Sequence, residues 1–282
     1  MSRNILVSAP ELDGLIKEGG CVVVDCRFDF ADSAKGRNDW LGGHVPGAAY
    51  AHLDEDLSSP IEPHTGRHPL PSTTRFASYL AGIGWAPGRL LVAYDEGSNA
   101  VSSRLWWLMR YFGQPAALLD GGLAAWIAAG LPLEKGAPTV ATSPVPVLAP
   151  AKGMTVDSAA ILDSLGRHEL LVLDARASQR FSGAVENLDT RAGHIPGSVN
   201  RPFGSNLTLG GGFKDAGQLR EEFSDLLDDQ QPVNMVHSCG SGVTACHNLF
   251  AMELAGLPGS RLYPGSWSEW IRDPARPIET GN

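Results

Sequence analysis

The stretch VNMVHSCGSGVTACH, residues 233–247, passes from an apolar run through a turn with two glycines into a second, longer run. The run Val233–His237 predicts a buried strand, and Val243–Ala255 predicts a helix that follows it. A strand that feeds a helix through a short turn is the unit of an open α/β sheet, where sites form beyond the carboxyl ends of the strands. In this stretch, the residue at that position is Cys239.

The same alternation occurs elsewhere along the chain. Further buried strands are predicted at Cys21–Asp25, Leu90–Tyr94 and Leu170–Asp174, and a further helix at Ser102–Phe112. We therefore expect an α/β fold with open, mainly parallel sheets flanked by helices and joined by right-handed crossovers.

The chain also contains an internal duplication. Three pairs of similar segments recur in the same order: 22–27 with 171–176, 43–47 with 193–197, and 120–126 with 264–270. Because the offset between the copies is nearly constant, we interpret them as two copies of one domain. Residues 131–152 are rich in proline, which fixes φ and removes hydrogen-bond donors. We predict a first domain at 1–135, a Pro-rich linker at 136–152 and a second domain at 153–282.

Composition excludes several classes of function. A formal net charge of −9 argues against a nucleic-acid surface. The four cysteines are too few and too scattered for a disulfide framework and lack zinc spacing, which favours reduced thiols in a cytoplasm. The N-terminus lacks the apolar segment of a signal peptide, and no run of about 18 apolar residues predicts a membrane span.

Cys239 is the candidate nucleophile. Glycines let backbone N–H groups converge on an anion, and the following helix adds a positive partial charge at its N-terminus. Both effects favour thiolate over thiol, and they would also hold an anionic group or a sulfur atom carried on Cys239. The structural alternative is a small buried side chain, which is the interpretation we keep for Cys246.

The first copy provides a comparison. Asp95 aligns with Cys239, and an aspartate cannot carry sulfur. The first copy is therefore expected to be catalytically inactive.

The loop that begins at Cys239 resembles that of a known family. Cys239-Gly240-Ser241-Gly242-Val243-Thr244 is similar to the active loop of the 3-mercaptopyruvate sulfurtransferases, within the tandem-domain rhodanese family. Thiosulfate sulfurtransferases usually carry Arg and Lys where this chain has Gly240 and Ser241. The resemblance implies a ping-pong reaction through a Cys239 persulfide, with no metal or organic cofactor. It also implies that the loop residues Gly240, Gly242, Val243 and Thr244 bind substrate.

The resemblance implies further site residues. Arg180 is similar in position to the family's substrate-binding arginine, and a guanidinium would pair with a donor carboxylate. The position of a second family arginine falls near Asp189, so that Arg191 is the nearest candidate. The family has also been assigned a Ser-His-Asp relay, and the matching positions in this chain are Ser241, His68 and Asp54.

The recurrent histidines have a structural interpretation. His44 and His194 occupy equivalent positions in both copies, although only one copy has the cysteine, and the Asp-x-Arg pairs at 25–27 and 174–176 recur in the same way. A shared turn geometry and a structural ion pair explain this recurrence; a catalytic role would not.

Three alternatives remain open at this stage. The donor can be thiosulfate instead of mercaptopyruvate. A phosphatase with a Cys-x5-Arg loop is disfavoured, because Ala245 stands at the arginine position. A non-turnover persulfide relay or binding module would have the same loop. For partners we expect a small anionic donor, a cyanide or thiol acceptor such as a thioredoxin-like protein, no nucleic acid or membrane, and a monomer.

Overall fold

The computed structural model describes residues 4–167 and 169–281, which form two compact units. The first unit runs to Ser59 and adds Leu70–Ala151 and Leu209–Phe213. The second contains Pro60–Pro69, Lys152–Thr208 and the chain from Lys214 onward. The segment Pro60–Pro69 therefore belongs to the second unit, although it precedes the Pro-rich linker in the sequence.

The first unit is built on a five-stranded parallel sheet in the order β1-β5-β4-β2-β3. Its strands are β1 (Leu6–Val7), β2 (Cys21–Asp25), β3 (Ala49–Tyr50), β4 (Leu90–Tyr94) and β5 (Ala116–Leu119). Its helices are α1 (Ala9–Lys17), α2 (Lys35–Gly42), α3 (Thr73–Gly82), α4 (Ser102–Tyr111) and α5 (Gly122–Ala128).

The predicted elements of this unit are confirmed. The strands at Cys21–Asp25 and Leu90–Tyr94 have the predicted bounds, and the predicted helix from Ser102 ends one residue early, at Tyr111. Every residue of β2 is buried, as expected for a central parallel strand that is covered on both faces.

The second unit contains a four-stranded parallel sheet in the order β7-β6-β8-β9. Its strands are β6 (Leu171–Asp174), β7 (Val199–Asn200), β8 (Met235–Ser238) and β9 (Arg261–Leu262). Its helices are α6 (Ser158–Ser164), α7 (Ser178–Phe181), α8 (Ala216–Leu227), α9 (Ala245–Leu254) and α10 (Ser266–Trp270), with 3-10 turns at Phe203–Asn206 and Pro232–Asn234. The expected α/β class, with parallel sheets flanked by helices, is confirmed.

Two predicted boundaries in this unit shift by two residues. The strand begins at Met235 instead of Val233, because Pro232 starts a 3-10 turn and Val233 is half exposed. The helix begins at Ala245 instead of Val243, because the residues after Cys239 form an irregular loop. The loop is therefore longer than the sequence predicted, and it ends at the first turn of α9.

Both copies conserve the same local scaffold. Arg27 donates to the Asp25 carboxylate and to the Gly43 carbonyl, and Arg176 donates to Asp174 and Gly193 in the same way. These contacts match the structural interpretation of the repeated Asp-x-Arg motif.

The histidine of each copy is also part of this scaffold. Nδ1 of His44 lies 2.8 Å from the Trp40 carbonyl, and Nδ1 of His194 lies 2.8 Å from the Phe181 carbonyl.

The predicted linker region 136–152 contains no helix or strand, and the domain boundaries at 135 and 153 stay predictions. Within the part of the chain that the structure describes, no helix is both long and apolar enough to cross a membrane.

Candidate active site

Cys239 lies directly after β8, in a loop that is held by the first two residues of α10. Its side chain is buried, with the residue 1% exposed. Its backbone N–H donates to Oγ of Ser266 at 3.1 Å, and its carbonyl accepts the N–H of Trp267 at 3.0 Å. The N–H of Gly242 donates to the Cys239 sulfur at 3.2 Å. The sulfur is therefore in hydrogen-bond contact with a backbone donor of its own loop.

Gly242 is required by the shape of the loop. Its φ of +75° lies in the left-handed region, and a Cβ atom there would stand 2.3 Å from the Pro264 carbonyl oxygen. The clash is with backbone, which cannot move aside as a flexible side chain can. Only glycine can therefore present its N–H to the sulfur in this conformation.

The equivalent loop of the first unit shows what the scaffold binds. The carbonyl of Asp95 accepts the N–H of Leu123 at 2.9 Å, as the Cys239 carbonyl accepts that of Trp267, which confirms the alignment of the two positions. The Asp95 carboxylate accepts the N–H groups of Asn99 and Val101 at 2.8 and 2.9 Å. In this copy the converging N–H groups thus enclose an internal carboxylate, as expected for an anion-binding loop.

Ser266 is a residue of the site that sequence reasoning missed. It has a φ of 52° and is fully buried, whereas the aligned residue of the first copy is Gly122 at a φ of 56°. A side chain in this backbone region is unfavourable, and such strain is typical of functional sites. The Ser266 hydroxyl compensates by accepting the Cys239 N–H. The signal was available, because the duplication places a serine where the other copy has glycine.

Ser241 and His68 come together. Nδ1 of His68 lies 2.7 Å from Oγ of Ser241, and both residues are buried. His68 reaches the loop because the segment Pro60–Pro69 packs against α10: the N–H of Arg67 donates to Oγ of Ser268 at 3.0 Å. The hydroxyl–imidazole pair has the contact that proton transfer requires.

The remaining predicted residues are placed as follows. Asp54 belongs to the first unit, in an exposed turn where its N–H donates to Nδ1 of His52, and its part in a relay stays a prediction. The carbonyl of Arg191 accepts the indole N–H of Trp267, and no contact of its side chain tests a role in substrate binding. Val243 is buried and Thr244 is half-buried at the start of α9.

Arg180 lies beside the loop within a charged network. Its Nη2 donates to Glu186 and to Asp189, each at 2.9 Å. Arg67 also donates to Asp189. A Cβ atom on Gly240 would lie 2.9 Å from Nη2 of Arg67 and 3.4 Å from Nη1 of Arg180. Two guanidinium groups therefore flank the residue that follows the cysteine, and sequence reasoning identified only Arg180.

The pKa values of the two carboxylates of this network shift in opposite directions. Burial raises the pKa of Asp189, and the neighbouring guanidinium groups offset this only in part. Burial also acts to raise the pKa of Glu186, but hydrogen bonds from Arg180 and from the backbone of Leu188 and Asp189 lower it overall. Within residues 4–167 and 169–281, no group of three or more His, Cys, Asp or Glu side chains is arranged to hold a metal ion.

Comparison with known proteins agrees with this geometry. The family profile described as "Rhodanese-like domain" matches residues 8–129 and 158–273. The chain is 44% identical over 285 residues to a Pseudomonas aeruginosa protein named "Probable 3-mercaptopyruvate sulfurtransferase", and the match covers 100% of both chains. It is 31% identical to the thiosulfate sulfurtransferase of Gallus gallus, with 94% of this chain and 93% of the relative covered.

A solved structure is similar over nearly the whole chain. The 3-mercaptopyruvate sulfurtransferase of Leishmania major superposes with a TM-score of 0.83 at 28% identity, and the match covers 96% of this chain and 75% of that one.

Proposed function

The chain belongs to the rhodanese family and is a sulfurtransferase, and we propose that it moves a sulfane sulfur from 3-mercaptopyruvate to cyanide or a thiol through a persulfide on Cys239. The observation that carries the proposal is the loop after β8. It combines a cysteine sulfur that accepts the Gly242 N–H at 3.2 Å with a serine hydroxyl 2.7 Å from a buried histidine.

In the first half-reaction, the Cys239 thiolate attacks the thiol sulfur of mercaptopyruvate. An S–S bond forms, the C–S bond breaks, and its electron pair leaves on carbon as the enolate of pyruvate. The enolate takes up a proton and departs as pyruvate. We assign the delivery of that proton to Ser241 and His68, with the imidazole as acid and the hydroxyl as bridge, on the basis of the 2.7 Å contact between them.

In the second half-reaction, the acceptor attacks the outer sulfur of the persulfide. The electron pair of the S–S bond returns to Cys239 as thiolate, so that the enzyme is regenerated without a redox cofactor. Dividing the transfer into two displacements is the usual benefit of a covalent intermediate. A thioredoxin-like protein would serve as the thiol acceptor, since it presents a reactive thiolate.

The donor carboxylate is assigned to Arg180. A guanidinium binds a carboxylate through paired hydrogen bonds, which fix orientation as well as position. Gly240 keeps the loop small enough for Arg67 and Arg180 to reach it, because a side chain there would meet Nη2 of Arg67 at 2.9 Å.

Thiosulfate is the second candidate donor. It is favoured by the similarity to the Gallus gallus thiosulfate sulfurtransferase and by the two guanidinium groups beside the loop. A steady-state comparison of kcat/KM for the two donors, with cyanide as common acceptor, decides between them. We expect a preference for mercaptopyruvate; a preference for thiosulfate would replace the donor while leaving Cys239 as the nucleophile.

Changing Ser241→Ala is expected to lower kcat with mercaptopyruvate by about 100-fold, and kcat with thiosulfate by about threefold or less. The enolate that leaves from mercaptopyruvate must take up a proton to become pyruvate. The sulfite that leaves from thiosulfate is a stable anion and needs no proton. Persulfide formation followed under single turnover with each donor gives the measurement.

The matched variant is His68→Gln, which should reproduce the Ser241→Ala effect, and the double variant should be no worse than either single one. Equal losses with both donors would eliminate the relay.

A further inference from the structure

The Asp189 carboxylate bridges two guanidinium groups. One oxygen accepts from Nη1 of Arg67 and the other from Nη2 of Arg180, the latter at 2.9 Å. This arrangement is the one that a small anion, such as the carboxylate of a donor, would adopt between the same two arginines.

The two cations lie nearer to solvent than their carboxylate partners. The side chains of Arg67 and Arg180 are 27% and 17% exposed, whereas those of Asp189 and Glu186 are each 4% exposed. Both guanidinium groups also approach Gly240, the neighbour of Cys239. An anion arriving from solvent therefore meets the cations at the loop, with their internal counter-charges lying behind them.

The two carboxylates are not held equally. Glu186 accepts the backbone N–H groups of Leu188 and Asp189 at 2.9 and 3.0 Å in addition to Arg180, and it lies 3.7 Å from Nη1 of Arg176. The Asp189 carboxylate contacts the two guanidinium groups, and burial raises its pKa. Asp189 is therefore the less stabilised anion of the pair.

We propose that Asp189 is a specificity-determining residue of this site: its carboxylate occupies the anion position between Arg67 and Arg180 in the free enzyme, and a sulfur donor binds by taking that position. The proposal rests on sulfur transfer at Cys239. The charges of Arg67, Arg180, Glu186 and Asp189 cancel, so that a donor approaches a neutral network instead of a doubly positive one.

The charge of the donor then decides how tightly it binds at this position. A donor that presents one carboxylate replaces one internal carboxylate at the guanidinium groups. A thiosulfate dianion brings a second negative charge close to the displaced Asp189 carboxylate. The two negative charges repel strongly, because little solvent is present to screen them. Asp189 thus disfavours the dianion relative to the monoanion.

Anion binding without turnover tests the proposal directly. Titration calorimetry would measure the binding of thiosulfate and of pyruvate to the Cys239→Ser protein and to the same protein with Asp189→Asn. We expect thiosulfate to bind about tenfold tighter in the Asn variant and pyruvate about threefold tighter. Asp225→Asn, an exposed position on α8, is the matched control for net charge and should change neither affinity.

Two further variants separate the effect of the Asp189 charge from an effect of the substitution on folding. Asp189→Ser removes the charge with a smaller side chain and must also tighten thiosulfate, while Asp189→Glu restores the charge and must return affinity towards the starting value. Unchanged affinities in both neutral variants, or gains equal to those of Asp225→Asn, would overturn the proposal.

The same experiment separates this inference from the proposed function. If the wild-type enzyme does not turn over mercaptopyruvate but the Asn variant still tightens thiosulfate, the donor assignment fails and the role of Asp189 stands. If mercaptopyruvate is turned over and the affinities do not move, Asp189 has no such role.

Discussion

Cys239→Ser is expected to lower sulfur transfer by on the order of 10⁴-fold or more with either donor. A serine hydroxyl is not ionised near neutral pH and cannot form a persulfide, so both half-reactions lose their intermediate. The substitution is close to isosteric, and the hydrogen bond from the Gly242 N–H has an acceptor in either case. We therefore expect the unfolding free energy to change little.

Mass spectrometry after incubation with donor and no acceptor provides the decisive measurement. The wild-type chain should gain one sulfur atom, and the variant none. Cys21→Ser is the control, because burial raises the pKa of the Cys21 thiol to about 11 and keeps it protonated. Wild-type turnover or a retained sulfur atom in Cys239→Ser would remove Cys239 from its role.

Gly242→Ala is expected to cause the second-largest effect, lowering the unfolding free energy by about 2–4 kcal/mol and kcat by about 100-fold. The new Cβ atom would stand 2.3 Å from the Pro264 carbonyl oxygen, so that either the loop or the turn before α10 must shift. A shift of the loop withdraws the N–H from the Cys239 sulfur and misplaces the nucleophile.

Gly166→Ala separates the clash from the backbone strain. Gly166 has a φ of +76°, nearly that of Gly242, yet a Cβ atom there would meet nothing within 4 Å. We expect this variant to lose about 1 kcal/mol and to keep its activity. Urea denaturation followed by circular dichroism, together with kcat for both variants, tests the comparison; equal losses of stability would mean that contact with Pro264 is unimportant.

Much of the fold could be predicted from local sequence. The strands at Cys21–Asp25 and Leu90–Tyr94 are central strands covered on both faces, and a continuous apolar run reports that environment directly. The predicted start of a strand at Val233 was wrong by two residues, because Val233 is apolar but half exposed after Pro232 and the strand begins at Met235. An apolar run predicts a strand correctly only where its side chains are in fact buried, and Val233 is not.

Some residues of the site could likewise be predicted from local sequence, and others could not. Cys239 and Gly242 could be identified from order along the chain, since a strand, a glycine turn and a helix place them at the sheet edge without help from distant residues. The pairing of His68 with Ser241 came from resemblance alone at the level of sequence, because these residues are 173 positions apart. Nothing in the local sequence of either one indicates the other.

The duplicated α/β fold, the cysteine and the glycines of its loop can thus be derived from the amino-acid sequence, because they depend on periodicity and order over short stretches. The charges that surround that loop follow from contacts between segments far apart in the chain. Arg67 and Asp189 are 122 positions apart and meet because Pro60–Pro69 is packed within the second unit. Such contacts are decided by where the whole chain buries its apolar surface, which is a property of the complete fold and not of any local segment.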